Sequence, residues 1–415
     1  MNSLDTDTIA RIARTHGTPF YAYHWPTMED RYRRLAAAVG PGTRILYSMK
    51  ANPHPRITGM IAGLTWGVEA ASGGELSLAL WSGVDPARVF FTGPGKTDEE
   101  LALAAGANLL AVSIESVGQA RRLDRICGDL GVQRDVAIRV NPMDPIAGAR
   151  LHMGGMASPF GVDQEDIPEV LRRCHGWKNL RCIGLHVYAG TQILDAAALG
   201  AHVERTVAWA ARVSATHHLT MVNVGGGFGV PYRRDQKPLD LVVVVEAFAR
   251  ARETLGSGLS GAELYVESGR YLVASAGCYV ARVLDIKESR GKRFVVLDGG
   301  INHLLAVGGL SRAVRANPSL RVVGRDGALG TQPATVVGPL CTPSDRLADG
   351  MELPATLAVG DLVVVDEVGA YGRSASPLNF LSRDWPAEYL VFGPSRFECI
   401  SPRLSALDVW QIQQR

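Results

Sequence analysis

Lys50 sits in Tyr47-Ser-Met-Lys-Ala-Asn52, at the end of the β-branched and aromatic stretch Arg44-Ile-Leu-Tyr-Ser48. An amine at the mouth of a strand, rather than on a solvated helix face, can lose its proton to burial and condense with an aldehyde. Alone, a lysine there is most often a surface residue. Further on, Gly225-Gly-Gly-Phe-Gly229 lets backbone N–H groups approach an anion closely. Its bland alternative is a tight turn with no ligand. It is not the Gly-x-Gly-x-x-Gly of dinucleotide sites, and no acidic ribose partner is evident, which argues against a nicotinamide cofactor. An aldehyde-binding amine beside a phosphate cradle points to pyridoxal 5'-phosphate. That cofactor needs an acid at its ring nitrogen, because the protonated pyridinium is the electron sink. Glu267, in Glu267-Ser-Gly-Arg270, is the candidate; the alternative is an ordinary strand-end carboxylate paired with Arg270. His186 offers a ring to stack on the cofactor, and Tyr371, in Gly369-Ala-Tyr-Gly372, offers a hydroxyl to the phosphate. Both are otherwise structural residues.

These residues need a scaffold on which strand ends converge. Strand-like runs recur as Ile45-Tyr47, Leu64-Val68, Val89-Phe91, Leu109-Val112, Val136-Val140, Ile183-Val187, Met221-Val224 and Leu264-Val266. Between them lie stretches of helical composition: 74–80, 98–104, 116–130, 166–174, 196–213 and 239–255. Thr97 and Glu100 form a capping box at the start of the second. Alternating strands and helices imply parallel strands with right-handed crossovers, and eight such units close into a (β/α)₈ TIM-like barrel. Barrel enzymes place their chemistry at the C-terminal strand ends. Lys50, Glu69 and Ser72, Gly93-Pro-Gly-Lys96, Arg139 and Asn141, His186, the glycine triplet Gly225, Gly226 and Gly227, and Glu267 with Gly269 and Arg270 all fall there. Lys96 contests the role of Lys50, but its place before a capping box favours a turn.

After Arg270 the rhythm changes. Tyr279-Ile286, Phe294-Leu297, Arg321-Val323, Thr335-Val337 and Asp361-Asp366 read as strands split by Gly, Pro and charged turns. This predicts a C-terminal β-sandwich or β-barrel domain, to which Phe20-Tyr-Ala-Tyr23 adds a strand. The expected division is an N-terminal segment 1–28, a barrel 29–275 and a β domain 276–415.

The bulk properties exclude several classes. The net charge is +2, with no basic run interleaved with aromatics, which argues against a nucleic-acid groove. The six cysteines are scattered without a Cys-x-x-Cys pair, so neither a metal site nor a disulfide framework is expected, and a cytoplasmic setting is the default. The start, Met1-Asn-Ser-Leu-Asp-Thr-Asp, does not read as a signal peptide, and the apolar run from Leu101 to Ile114 is too short for a bilayer.

The motifs taken in order resemble the barrel-type pyridoxal-phosphate decarboxylases, which include diaminopimelate and ornithine decarboxylases. The resemblance covers nearly the whole chain. It rests on Tyr47-Ser-Met-Lys-Ala-Asn52, Ser72-Gly-Gly-Glu-Leu76, Arg139-Val-Asn-Pro142, Gly225-Gly-Gly-Phe-Gly229, Glu267-Ser-Gly-Arg270, Gly338-Pro-Leu-Cys341 and Gly369-Ala-Tyr-Gly372. It implies an alanine racemase-like fold and an enzyme that removes an α-carboxylate to give an amine. It implies that Lys50 binds the cofactor covalently, that Glu267 pairs with the ring nitrogen and that His186 stacks on the ring. Glu69, Ser72 and Arg139 would join the cofactor site. The glycine triplet, Gly269 with Arg270, and Tyr371 would hold the phosphate. It further implies a head-to-tail homodimer in which Cys341 protonates carbon in the partner's site and Asp345 also acts in trans.

The chain departs from the family where substrate is chosen. The position after the cysteine, acidic in those enzymes, is Thr342. Asp298-Gly-Gly-Ile-Asn302 is followed by His303-Leu-Leu-Ala-Val-Gly-Gly, without the expected arginine and tyrosine, and His186-Val-Tyr-Ala-Gly-Thr-Gln192 is longer than the usual motif. With Met153-Gly-Gly and Pro159-Phe-Gly-Val-Asp163, this resembles a specialised branch serving secondary metabolism. One subgroup there decarboxylates glutamate tethered to an acyl-carrier protein. Thr342, Asp345 and Tyr371 are the expected substrate contacts. The alternatives are a diaminopimelate decarboxylase of lysine biosynthesis, an alanine-racemase-like enzyme, against which Glu267 argues, and a non-catalytic cofactor-binding regulator. The Gly, Ala and Met content of the 142–160 segment would permit it to close as a lid.

Overall fold

The computed structural model describes residues 4–144, 146, 151–152, 157–214, 217–233, 235–305, 317–325 and 330–414. Met153-Gly-Gly, much of the 142–160 segment and the end of the run after His303 lie outside them. The chain divides into two compact units, one of residues 31–231 and 237–271, the other of 1–30, 232–236 and 272–415.

The first unit is a closed parallel barrel. Its strands are Thr43–Ser48, Gly67–Ala70, Val89–Phe91, Ala111–Ile114, Arg134–Asn141, Leu180–Val187, Met221–Asn223 and Glu263–Ser268. Each pairs with its neighbour in sequence, the eighth returns to the first, and every one of these ladders is parallel. Leu46, Phe90, Ala111, Ala137, Met221 and Tyr265 pack together as a buried cluster. Side chains alternate along a strand, so the residue two further on shares the face. Two past those six are Ser48, Thr92, Ser113, Arg139, Asn223 and Glu267. Glu69 and His186 stand in the same relation to Gly67 and Gly184 on the other two strands. An apolar floor therefore carries a polar layer at the C-terminal ends.

The second and fourth strands begin later than the hydrophobic runs suggested. Leu64-Thr-Trp66 forms a turn after the helix Pro55–Ala62, in which the Thr65 hydroxyl donates to the carbonyls of Ile61 and Gly67. Helices Gly73–Trp81, Asp98–Ala107, Val117–Asp129, Ile167–Cys174, Ala196–Val213 and Leu241–Gly258 follow strands, as the composition predicts. The Thr97–Glu100 capping box is formed.

The second unit is built on a mixed sheet. Across it run Arg346–Pro354, Thr331–Val337, Lys292–Leu297, Gly277–Ser289, Phe20–His24, Ala387–Gly393 and Arg396–Ser401; Leu362–Val365 branches from Gly277–Ser289 and pairs with Leu320–Val322. The N-terminal strand Phe20–His24 is inserted antiparallel to Gly277–Ser289 and parallel to Ala387–Gly393. Among the described residues no helix is long and apolar enough to cross a membrane.

Candidate active site

Lys50 lies in a single 3-10 turn, Met49–Ala51, directly after the first barrel strand. Its Nζ is 3.1 Å from both oxygens of Glu69, which is itself 1 % exposed. The Tyr188 ring lies 5.3 Å from the amine. The Lys50 side chain is 36 % exposed, with the Glu69 carboxylate beside it. Glu69 also accepts from the Thr92 hydroxyl at 2.7 Å, which fixes it toward the lysine.

Across the barrel, His186 and Glu267 form the second centre. His186 Nε2 lies 3.0 Å from Glu267 Oε1 but makes no aligned hydrogen bond. The imidazole is held from behind, with Nδ1 3.0 Å from the Ser113 hydroxyl and the Phe90 ring edge-on at 5.2 Å. Glu267 Oε1 accepts from the Asn223 amide at 2.9 Å. Burial works to raise the Glu267 carboxyl, but neighbouring His186, Lys50 and Arg139 outweigh it and hold it below the usual carboxylate range.

The glycine turn has a packing reason as well as a chemical one. Gly225 and Gly227 have φ of 71° and 96°, a region that favours glycine. A Cβ on Gly226 would stand 2.1 Å from the Glu267 carbonyl oxygen. Gly225 N–H donates to Asn223 Oδ1 at 2.9 Å, whereas the N–H groups of Gly226 and Gly227 donate to no group among the described residues. Gly269 is also forced, since a Cβ there would meet Ala51 Cβ and the Ser48 carbonyl oxygen at 2.7 Å. Its bareness lets the end of the eighth strand close on the Lys50 turn. Arg270, half-buried, opens the short helix Arg270–Val273.

Arg139 is an inward arginine, buried at the end of the fifth strand and paired with Glu115 at 2.9 Å. Its guanidinium lies over Phe160 and Tyr188 at 5.0 and 6.0 Å. Asn141 leaves the group; its amide donates to Asp163 at 2.8 Å. Ser72 is exposed and N-caps helix Gly73–Trp81, its hydroxyl accepting from Glu75 N–H, which accounts for it as a structural cap. Lys96, the rival amine, is 3 % exposed, and its Nζ donates to the carbonyls of Gly93 and Ser113 at 2.7 and 2.8 Å. Burial pulls it down to about 7. Those contacts give it a structural place.

Cys341, Thr342, Asp345 and Tyr371 belong to the sheet unit. Cys341 is exposed, and Tyr371 is half-buried at φ 55°. The Thr342 hydroxyl pairs with that of Ser344 at 2.8 Å. Asp345 departs from the expected substrate role. It is 3 % exposed, and its two oxygens accept from the backbone N–H groups of Ile301 and Leu340 at 2.8 and 2.7 Å. Gly300 and Gly338 leave room for it, since Cβ atoms there would stand 2.1 and 2.4 Å from its carboxylate. It is a clamp that joins the 298–301 loop to the Cys341 turn. The sequence reading missed Thr92, Ser113, Glu115 and Asn223. Three of them announce themselves only as small polar residues two positions past a core residue.

Residues 26–274 match the family model described as the pyridoxal-binding domain of pyridoxal-dependent decarboxylases. The chain is 33 % identical to the L-glutamyl-[BtrI acyl-carrier protein] decarboxylase of Niallia circulans, over 98 % of this chain and 96 % of that protein. It is 32 % identical to the diaminopimelate decarboxylase of Zymomonas mobilis, over 98 % and 95 %. The solved structure of the Helicobacter pylori diaminopimelate decarboxylase complexed with L-lysine superposes with a TM-score of 0.87 at 28 % identity, covering 98 % of this chain and 99 % of that one. The chain belongs to the pyridoxal-dependent decarboxylase family: it is a lyase that uses pyridoxal 5'-phosphate to remove a carboxylate from an amino acid or a derivative of one.

Proposed function

We propose that this decarboxylase acts on an amino acid carried by an acyl-carrier protein, as glutamate is for the Niallia circulans relative, and not on free diaminopimelate. The carrying observation is the charge of the turn after Cys341. Thr342 is neutral and its hydroxyl already pairs with Ser344. Asp345 has both oxygens on backbone N–H groups. The turn therefore offers the distal ammonium of a diamino acid only a buried carboxylate that already holds two N–H groups, and a desolvated ammonium without a good partner is costly. A thioester or amide side chain has no such charge. Similarity along 98 % of the chain to a carrier-protein enzyme supports the same reading, and with it a place in secondary metabolism.

The barrel mouth fits the cofactor. His186 presents a buried Nε2 without an aligned partner, and Gly226 and Gly227 present N–H groups with no acceptor among the described residues. In this reading Lys50 is the covalent anchor and Glu69 holds its amine when it is free. Glu267 would keep a proton at the ring nitrogen, His186 would cover the ring, and Arg139 would line the rim. Gly225, Gly226, Gly227, Gly269 and Arg270 would hold the phosphate. The bound cofactor supplies a conjugated ring that takes up the electron pair left when carbon dioxide departs. Cys341 Sγ delivers the proton that replaces the carboxylate, from the partner subunit of a head-to-tail homodimer. The scattered free cysteines support a cytoplasmic enzyme.

The test is carbon dioxide release from free diaminopimelate, lysine and ornithine and from carrier-bound glutamate, with Lys50→Ala as control. Release from the carrier-bound acid alone is expected. Fast release from free diaminopimelate would contradict the substrate assignment and return the enzyme to lysine biosynthesis.

A further inference from the structure

We propose that Asn223 is a positioning residue that ties Glu267 to the phosphate-facing glycine turn, so that one side chain sets both ends of the cofactor site. This rests on the assignments of Glu267 and the glycine turn given above. Asn223 ends the seventh barrel strand and has no exposed surface. In register it lies between His186 on the sixth strand and Tyr265 on the eighth. Its Nδ2 donates to Glu267 Oε1 and its Oδ1 accepts from Gly225 N–H, each at 2.9 Å. Gly225 is the first glycine of the triplet whose next two N–H groups have no acceptor among the described residues.

The residue type follows from those two bonds. A carboxamide donates through nitrogen and accepts through oxygen at the same time. An ionised carboxylate in its place accepts but cannot donate, and it sets a second negative charge against Glu267. A leucine does neither. The donated N–H stabilises the ionised form of Glu267 and fixes which oxygen faces the ring, because hydrogen bonding to a charged form favours that form. The accepted N–H fixes the first peptide of the phosphate turn. Neither end is held by contact with substrate, so the role is positioning and not catalysis.

The discriminating variant is Asn223→Asp, which keeps the acceptor for Gly225 and loses the donor for Glu267. At about pH 8 it should lose roughly tenfold to a hundredfold in kcat, the range for a buried hydrogen bond to a charged group. The KM for substrate should stay near that of the parent enzyme. As the pH falls, the introduced carboxyl and Glu267 come to share a proton, because two adjacent buried carboxylates cannot both stay ionised. The introduced group then donates again, and the ratio of variant to parent kcat should rise several-fold. The other charged groups facing this pair are His186 on the sixth strand, Arg139 on the fifth, Lys50 after the first, and Glu69 beside Lys50. They are present in both proteins, so variant and parent are compared at each pH.

Asn223→Ala, which loses both bonds, should in addition weaken pyridoxal 5'-phosphate binding by roughly tenfold, read by absorbance titration of the apoprotein. Melting of the apoproteins checks that each variant folds. Parent-like kcat in Asn223→Asp at pH 8, or a deficit that does not change with pH, would overturn the proposal. Glu267→Gln separates the two levels. If that variant keeps parent-like kcat, the assignment of Glu267 fails; if it is crippled while Asn223→Asp is not, only the role of Asn223 fails.

Discussion

At the scale of single residues, the groups with the loudest chemistry were readable. Lys50, His186 and Glu267 announce themselves because charged or titratable residues are rare at the ends of apolar strands, and the glycine triplet because three successive glycines are costly without a reason. Their supports were not readable by type. Ser113, Asn223 and Thr92 are small and neutral, and Glu115 follows its strand at the turn. Periodicity finds the first three, since each stands two residues beyond a packed interior residue. Asp345 shows the opposite error: its acidity suggested substrate, whereas its burial and its two N–H donors make it a clamp. Ser113 yields a prediction at this scale. Ser113→Ala removes the hydroxyl 3.0 Å from His186 Nδ1 and frees the ring to turn. Cofactor affinity and kcat should each fall by roughly fivefold, close to one neutral hydrogen bond of about 1 kcal/mol, with the melting temperature of the apoprotein little changed.

At the scale of elements, the eight strands were legible because each is a short apolar run bounded by helix-forming sequence. Strand starts were less legible where apolar residues continue through a turn, as at Leu64-Thr-Trp66. Arg346–Pro354, Ala387–Gly393 and Arg396–Ser401 went unread, since charged and glycine residues interrupt the alternation within a sheet whose strands differ in burial. Helix Thr6–His16 was missed although Asp5 caps it and Ile9 and Ile12 form its buried face. The close approach of the seventh and eighth strand ends makes the strongest prediction here. In Gly226→Ala the new methyl meets the Glu267 carbonyl oxygen at 2.1 Å, and backbone cannot yield as a flexible side chain does. The expected loss is about 3 kcal/mol, measured by urea unfolding, together with loss of cofactor binding. A variant with parent-like stability and affinity would show that the two strand ends are not packed as described.

At the scale of the whole molecule, each unit buries a histidine that resists protonation. Burial pulls His202 in the barrel unit and His303 in the sheet unit down to about 4. His303 is held between the Tyr279 hydroxyl and the Asp384 carbonyl at 2.9 and 2.8 Å. In the unfolded chain both titrate near 6.5, so between pH 6.5 and 4 the unfolded state binds more protons. Their contribution to stability is complete above about pH 6.5 and is lost as the pH falls through about 4. The urea midpoint should therefore drop on acidification across that window, and less steeply in His202→Gln. A midpoint flat from pH 7 to 5 would contradict neutral burial. The proposed shared-site dimer leads to a further prediction. Lys50→Ala and Cys341→Ala should each be inactive, and mixing their subunits should restore about a quarter of parental activity, because half the dimers then hold one intact site. No restoration would place both residues in one subunit's site. The most direct test of the account is intact-protein mass spectrometry of a glutamyl-loaded carrier protein incubated with the cofactor-loaded enzyme. The carrier should lose the mass of one carbon dioxide, and should not do so with Lys50→Ala. An unchanged carrier, with free diaminopimelate consumed by the same preparation, would contradict it.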